Sequence, residues 1–209
     1  MATPSNHQSK TDAAYRDSTQ TPPWLFQAFN AEFHYDLDAA ALPESALVET
    51  YYTPDQDALT QDWSALFTFN HRPAVWLNPP FSDILPWMEK AREQQAKGVL
   101  TTLLVPRDNR TEWWPHDCAS EIRDIVGYHE ERTYKTGNKQ KKGQPYKKWI
   151  SGGIAFVDAK TGEEMPNELN KPMCLVVFDP LHFGPCVYKT IRKDLLMKRG
   201  HERLELIAA

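Results

Sequence analysis

The sequence predicts an α/β layer fold on a mostly parallel sheet, and three observations support that class. Ala74–Leu77, Val99–Val105 and Met173–Phe178 are short, continuous apolar runs with the length and composition of strands buried on both faces. Segments of helical spacing lie between such runs, so strands and helices alternate along the chain. A length of 209 residues, with 41% hydrophobic and 25% charged residues, suits one domain with a substantial core.

Element by element, residues 1–20 are polar and contain no Val, Leu or Ile, which predicts a disordered tail. Thr21 before Pro22 and Pro23 reads as an N-cap with proline in the first turn; Leu25, Ala28 and Phe29 then carry a helix to about Ala31. A short strand over Phe33–Asp38 runs into Ala39, Ala40 and Ala41, and the buried strand Ala74–Leu77 stops at Asn78-Pro79-Pro80. Ser82 is placed to cap a helix whose apolar positions Ile84, Trp87, Met88 and Ala91 recur at helical spacing, and Gly98 ends it. The strand Val99–Val105 is followed by an expected helix over Asn109–Ala119 and a strand over Ile122–Gly127. A strand pair around Ile150–Val157, a loop near Gly162–Asn170 and a basic amphipathic helix over 188–206, with Gly200 as its weak point, complete the expectation.

Composition narrows the function. No run approaches the ~20 apolar residues of a membrane span, and the N-terminus has neither the basic flank nor the apolar stretch of a secretory signal. Cys118, Cys174 and Cys186 are too few and too scattered for a disulfide framework or a zinc pattern, so a reducing cytoplasm is expected. His71, His116 and His182 lack metal-ligand spacing, and no metal site is expected. Trp113-Trp114 is assigned to the core in preference to a base pocket, and no obligate protein partner is evident. The net charge of -4 conceals an asymmetry: residues 1–125 hold 9 Lys+Arg against 18 Asp+Glu, and residues 126–209 hold 15 against 10. An acidic half joined to a basic half implies different partners on different surfaces.

Ligands of α/β sheets bind beyond the carboxyl ends of strands, which singles out Asp38-Ala39-Ala40 and Asn78-Pro79-Pro80-Phe81. The Asn78 amide oxygen is a neutral acceptor, the two prolines stiffen the backbone and present the Pro79 carbonyl, and Phe81 offers a flat apolar face. Two acceptors beside a stacking platform suit the exocyclic NH₂ of an extruded base. Extrusion costs a few kcal/mol, and stacking returns about 1–3 kcal/mol. The acceptors would draw the amino lone pair out of ring conjugation and aim it at a methyl sulfonium.

The ordered set Thr21-Pro22-Pro23-Trp24-Leu25-Phe26, Phe33-His34-Tyr35-Asp36-Leu37-Asp38-Ala39-Ala40, Tyr51-Tyr52-Thr53, Asp57-Ala58-Leu59-Thr60-Gln61-Asp62-Trp63, Val75-Trp76-Leu77-Asn78-Pro79-Pro80-Phe81-Ser82 and Pro86-Trp87 resembles the phage-type DNA N-6-adenine methyltransferase (Dam) family. The resemblance covers about residues 21–127 and returns at Cys174–Phe178. It implies a Rossmann-like core, S-adenosylmethionine as cofactor, double-stranded DNA as substrate and a phage or prophage origin, in a restriction-modification setting among others. By position it implies that Thr21 and Pro22 approach the methionine end of the cofactor, that Asp38 and Ala39 form the first cofactor loop, and that Asp62 lies near the cofactor adenine. Asn78, Pro79, Pro80 and Phe81 match the catalytic tetrapeptide, although tyrosine is usual where Phe81 stands. The first loop departs from the glycine-rich form, and Asp55 and Asp57 are the candidates for an acid on the cofactor ribose.

Beyond this core, Arg132, Lys135, Lys139, Lys141, Lys142, Lys147 and Lys148 form a basic run interleaved with Tyr134, Tyr146 and Trp149. Lysines neutralise phosphates and aromatics stack on or wedge between bases, so this run is the candidate DNA contact. The chain divides accordingly into a tail (1–20), a catalytic core (21–127), a small basic target-recognition insertion (128–172), and a last core strand with a C-terminal helix (173–209). Two alternatives accompany the leading expectation: methylation of another NH₂, on cytosine N4, RNA or a protein glutamine, and a catalytically degenerate relative that only binds DNA.

Overall fold

The frame is set by strands in which every residue is buried, Ala74–Leu77 and Met173–Phe178. The computed structural model describes residues 19–68, 71–135, 142–159 and 161–209. In chain order these form β1 (Thr19–Gln20), α1 (Pro23–Phe33), β2 (Leu37–Asp38), β3 (Ala74–Leu77), α2 (Leu85–Ala96), β4 (Leu100–Pro106), β5 (Glu121–Val126), β6 (Tyr128–Thr133), β7 (Pro145–Ile150), β8 (Val157–Asp158), β9 (Met173–Phe178), β10 (Val187–Arg192) and α3 (Lys193–Ala208). Two 3-10 turns, Pro54–Gln56 and Trp63–Leu66, occupy the long connection from β2 to β3.

Six strands make one sheet in the order β10-β5-β9-β4-β3-β2. The pairs β2–β3, β3–β4 and β5–β10 are parallel, whereas β9 is antiparallel to both β4 and β5. The sheet is therefore mixed. A continuous apolar run reports burial on both faces and says nothing about strand direction, which is why β9 reads like its parallel neighbours in sequence.

Alternate residues of each strand feed two cores. Val75, Leu77, Leu103, Val105, Cys174 and Val176 join Met88 and Ala91 of α2 on one face. Trp76, Leu104, Leu175 and Val177 join Phe26 and Phe29 of α1 and Leu196 of α3 on the other. Gly200 is where α3 meets α1: a Cβ there would stand 1.9 Å from the Trp24 carbonyl oxygen. The expected weak point of α3 is thus a close-packing position.

Several expected elements differ. Thr19–Gln20, at the end of the expected tail, form β1 against β8, while residues 1–18 lie outside the described residues. Pro22, not Thr21, occupies the N-cap of α1, and its carbonyl accepts from Leu25 N at 2.9 Å. Ile84, not Ser82, precedes α2, with no side-chain cap. The expected helix over Asn109–Ala119 is a series of turns, with Pro115 in its middle unable to donate a helical hydrogen bond. Residues 187–192 are a strand, because the β-branched Val187, Thr190 and Ile191 pair with β5. Gly98 does close α2, at φ +91°. No helix among the described residues is long and apolar enough to cross a membrane.

Candidate active site

Because β2 and β3 are parallel neighbours, with Asp38 opposite Trp76, their carboxyl ends deliver Ala39 and Asn78 side by side. The Ala39 N–H donates to the Trp76 carbonyl at 3.1 Å, which ties the two loops together. Thr50–Tyr52 then runs back beside β2: Asp38 N donates to Thr50 O and Tyr52 N to Asp38 O, both at 3.0 Å. These segments enclose a cavity of about 320 Å³. Thr21, Asp38, Ala39, Asn78 and Pro80 all line it, so two loops 40 residues apart in sequence meet at one site.

Its walls are mainly apolar, with a few convergent polar groups, as small-ligand sites are. Asp38 is only 3% exposed. Its carboxylate accepts from Leu47 N at 3.2 Å and Ala40 N at 3.4 Å. Burial pushes its pKa up to about 6, and those two N–H groups pull against the rise. Asn78 Nδ2 donates to the Thr19 carbonyl at 3.3 Å, and Asn78 Oδ1 is buried without a hydrogen-bond partner among the described residues. Thr21 Oγ1 is likewise buried and unpartnered. Buried polar atoms are normally satisfied, so these two unsatisfied oxygens, on residues that line one cavity, are candidate acceptors.

Pro79 is buried, and Phe81 is half-buried with its ring edge-on to Phe156 at 6.0 Å between centroids. Neither lines the cavity, nor does Pro22. Asp62 is 54% exposed and caps the turn Trp63–Leu66, accepting from Ser64 N at 3.1 Å and pairing with Lys97 at 3.4 Å. It does not line the cavity either, whereas Asp57 does and Asp55 does not. Tyr52, Thr53 and Trp87 line it too; they stand in the resembling segments, but only the fold gives them a position. Leu42, Ser45 and Leu47 also line it, and a run of small and aliphatic residues offers no signal from which to find them.

The basic run forms a two-stranded ribbon, with β6 and β7 antiparallel and Tyr128 opposite Ile150. This replaces the expected pairing around Ile150–Val157. Gly127 alone separates β6 from the carboxyl end of β5, and a Cβ there would stand 2.3 Å from the Ile150 carbonyl oxygen. Because β5 runs in the same direction as β3, the ribbon leaves the sheet at the edge that bears the cavity. Glu130 faces Lys148 and Glu131 faces Lys147 across the strands, and Glu130 also pairs with Arg132 at 2.5 Å. Lys135 and Lys142 are exposed at the far end, while Lys139 and Lys141 lie outside the described residues. Tyr134 stacks on Tyr146 at 4.4 Å, and Trp149 is 58% exposed beside His129.

Other candidates resolve as structure. Trp114 is buried and donates Nε1–H to the Tyr188 hydroxyl at 3.2 Å, as the core assignment expects. Burial raises the pKa of the free thiols Cys118, Cys174 and Cys186. Among the described residues no cluster of His, Cys, Asp or Glu could hold a metal ion.

The fold and site define the class first: an α/β protein with a cavity at the carboxyl edge of its sheet and Asn78 and Pro80 of an Asn-Pro-Pro-Phe turn in the wall. A family model described as DNA N-6-adenine-methyltransferase (Dam) matches residues 8–203, and the chain belongs to that family. It is 31% identical over 178 residues to a DNA N-6-adenine-methyltransferase of Haemophilus phage HP1 (strain HP1c1), covering 83% of this chain and 84% of that protein. It is 28% identical over 177 residues to a protein of the same name from Escherichia phage T1, covering 84% of this chain and 68% of that protein.

Proposed function

We propose that the chain transfers a methyl group from S-adenosylmethionine to N6 of an extruded adenine in duplex DNA, on a Rossmann-like core. One observation carries the proposal: the cavity brings the Asp38-Ala39-Ala40 loop against Asn78, whose buried Oδ1 has no partner. Family membership and the two phage relatives support the same chemistry.

The residues fit the cofactor. A volume of about 320 Å³ suits a ligand of that size. Asp38 offers a buried carboxylate for an ammonium group, Asp57 and Thr53 offer acceptors for ribose hydroxyls, and Tyr52 and Trp87 offer apolar faces for a purine. When bound, S-adenosylmethionine supplies a methyl group activated by a sulfonium. Asn78 Oδ1 accepts a hydrogen bond from the adenine N6 amino group, pulling its lone pair out of the ring, and Pro79 provides the second acceptor. Phe81 stacks on the base. The N6 lone pair makes the new N–C bond as the methyl's bond to sulfur breaks, the electron pair of that bond staying on sulfur as a neutral thioether; the amino proton departs to solvent after transfer, so no general base is required. Arg132, Lys135, Lys139, Lys141, Lys142, Lys147 and Lys148 engage the phosphates, with Trp149 against the base stack. Pro22 fixes the entry of α1 beside Thr21, which faces the methionine end of the cofactor. Asp62, expected near the cofactor adenine, holds the turn Trp63–Leu66 next to the cavity wall at Ala58; Trp63 Nε1–H donates to the Ala58 carbonyl at 3.0 Å.

The test is incubation with duplex DNA and methyl-labelled S-adenosylmethionine, followed by digestion to nucleosides. Label in N6-methyldeoxyadenosine is the expected result. Cofactor binding without that product would overturn the proposal, and label on cytosine would point to the other amino group.

A further inference from the structure

An asparagine amide has two ends of opposite hydrogen-bonding character, and only one of them can serve an amino-group substrate. Oδ1 accepts; Nδ2 would set donor against donor. At Asn78 the choice is made by Thr19, whose carbonyl meets Nδ2 at 3.3 Å. A carbonyl oxygen can only accept, so the amide must turn Nδ2 toward it and leave Oδ1 free. We propose that β1 is a positioning strap: the Thr19 carbonyl fixes the orientation of the Asn78 amide, and the insertion holds the strap in place through β8. This rests on the assignment of Asn78 as the acceptor for N6.

Among the described residues the strap has no other strand beside it. Thr19 lies opposite Asp158 and Gln20 opposite Val157 in a two-stranded sheet of their own. Val157 also bridges to Glu164, and the Trp24 Nε1–H donates to the Glu164 carboxylate at 3.0 Å, so Val157, Asp158 and Glu164 grip the segment on both sides of Thr21. The residue before β8 reaches the same turn from the other direction: Phe156, 2% exposed, meets the Phe81 ring edge-on. Both chemical ends of Asn78–Phe81, the amide and the aromatic ring, are thus held by residues on or pinned to 156–158. That segment belongs to the insertion that also forms the β6–β7 ribbon.

The test uses the full chain with Val157→Pro, which removes the N–H facing Gln20, and Gln20→Pro as a second route to the same loosening. Two readouts apply, each after thermal melting shows a folded protein. The first is the Asn78 side-chain amide resonance in a ¹⁵N–¹H spectrum, identified by its loss in Asn78→Ala. It is expected to move toward the position of a solvent-exposed amide in either strap variant; a resonance unmoved in both overturns the proposal. The second is kcat in two backgrounds. In the Asn78 protein, loosening the strap is expected to lower kcat about tenfold, the cost of a misoriented group. In Asn78→Asp, whose two oxygens are equivalent, the same change is expected to leave kcat within about twofold, because a carboxylate has no wrong way round. Equal falls in both backgrounds would show a merely structural strap and overturn the proposal. If Asn78→Asp turns over too slowly to measure, the amide resonance decides alone. If Asn78→Ala keeps full turnover, the assignment of Asn78 fails, and the resonance still reports whether Thr19 holds the amide.

Discussion

Asn78 and Asp38 stand at the ends of neighbouring parallel strands, and their surroundings treat their polar atoms in opposite ways. Asp38 has both carboxylate oxygens engaged by backbone N–H groups, whereas Asn78 keeps an acceptor with no donor. Asn78→Ala is therefore expected to lower kcat by about 10²–10³, the loss seen when one aimed polar group leaves a reaction site. Cofactor affinity should change little, and single-turnover methylation beside equilibrium cofactor binding checks both. Asp38 predicts a pH dependence. Burial raises its pKa from the ordinary 3.8 to about 6, so its contribution to the stability of the free protein is full below pH about 4 and is lost as pH rises through about 6. A cationic ligand beside it needs the ionised form. S-adenosylmethionine affinity is thus expected to increase as pH rises through about 6, and Asp38→Asn is expected to flatten that profile in calorimetric titrations.

At the scale of elements, two contacts govern how the site is presented. The α1–α3 seam closes at Gly200, where a methyl group would overlap the Trp24 carbonyl. Alanine favours a helix over glycine by about 1 kcal/mol, but overpacking costs up to about 3 kcal/mol. Gly200→Ala is expected to be destabilising by about 2 kcal/mol, lowering the melting temperature by about 5 °C. The ribbon gives a second prediction. Lys147 and Lys148 each face a glutamate across the strands, one of which, Glu130, is shared with Arg132, whereas Lys135 and Lys142 toward the far end are exposed and in no ion pair among the described residues. Each lysine placed on a phosphate contributes about 0.9 to the slope of log K against log salt. Replacing Lys135 and Lys142 with alanine is expected to reduce that slope by nearly two, measured by fluorescence anisotropy with duplex DNA over a salt series.

Over the whole molecule, one strand joins the halves. β9 follows the insertion yet lies between β4 and β5, sending Cys174 and Val176 into one core and Leu175 and Val177 into the other. Leu175 is fully buried, so Leu175→Ala is expected to cost about 3 kcal/mol and to move the unfolding of the whole sheet as one transition. Loss of cooperativity in urea, with the two faces melting separately, would contradict that linkage. The same topology explains the charge asymmetry. The chain leaves β5 at the cavity edge and returns through β9, so the basic ribbon of residues 126–209 stands at the edge whose cavity is lined by residues of the acidic half, 1–125.

The amino-acid sequence alone determined the family and the buried strands that frame the cavity. Ala74–Leu77 and Met173–Phe178 have the bounds their apolar runs predict, because burial on both faces imposes an unbroken pattern. Asn78-Pro79-Pro80-Phe81 was legible because two prolines after such a run can only end it, and Asp38 because small residues follow it at a strand end. Three things were not legible. Strand direction leaves no mark on composition, so β9 could not be told from a parallel strand. Capping depends on where a chain turns in space, so the expected caps Thr21 and Ser82 gave way to Pro22 and Ile84. Which end of the Asn78 amide is held and which is left over was decided only in three dimensions, by a Thr19 carbonyl 59 residues away. Sequence specifies which groups a site contains; the partners that aim them come from distant segments, and only tertiary packing brings those within hydrogen-bonding reach.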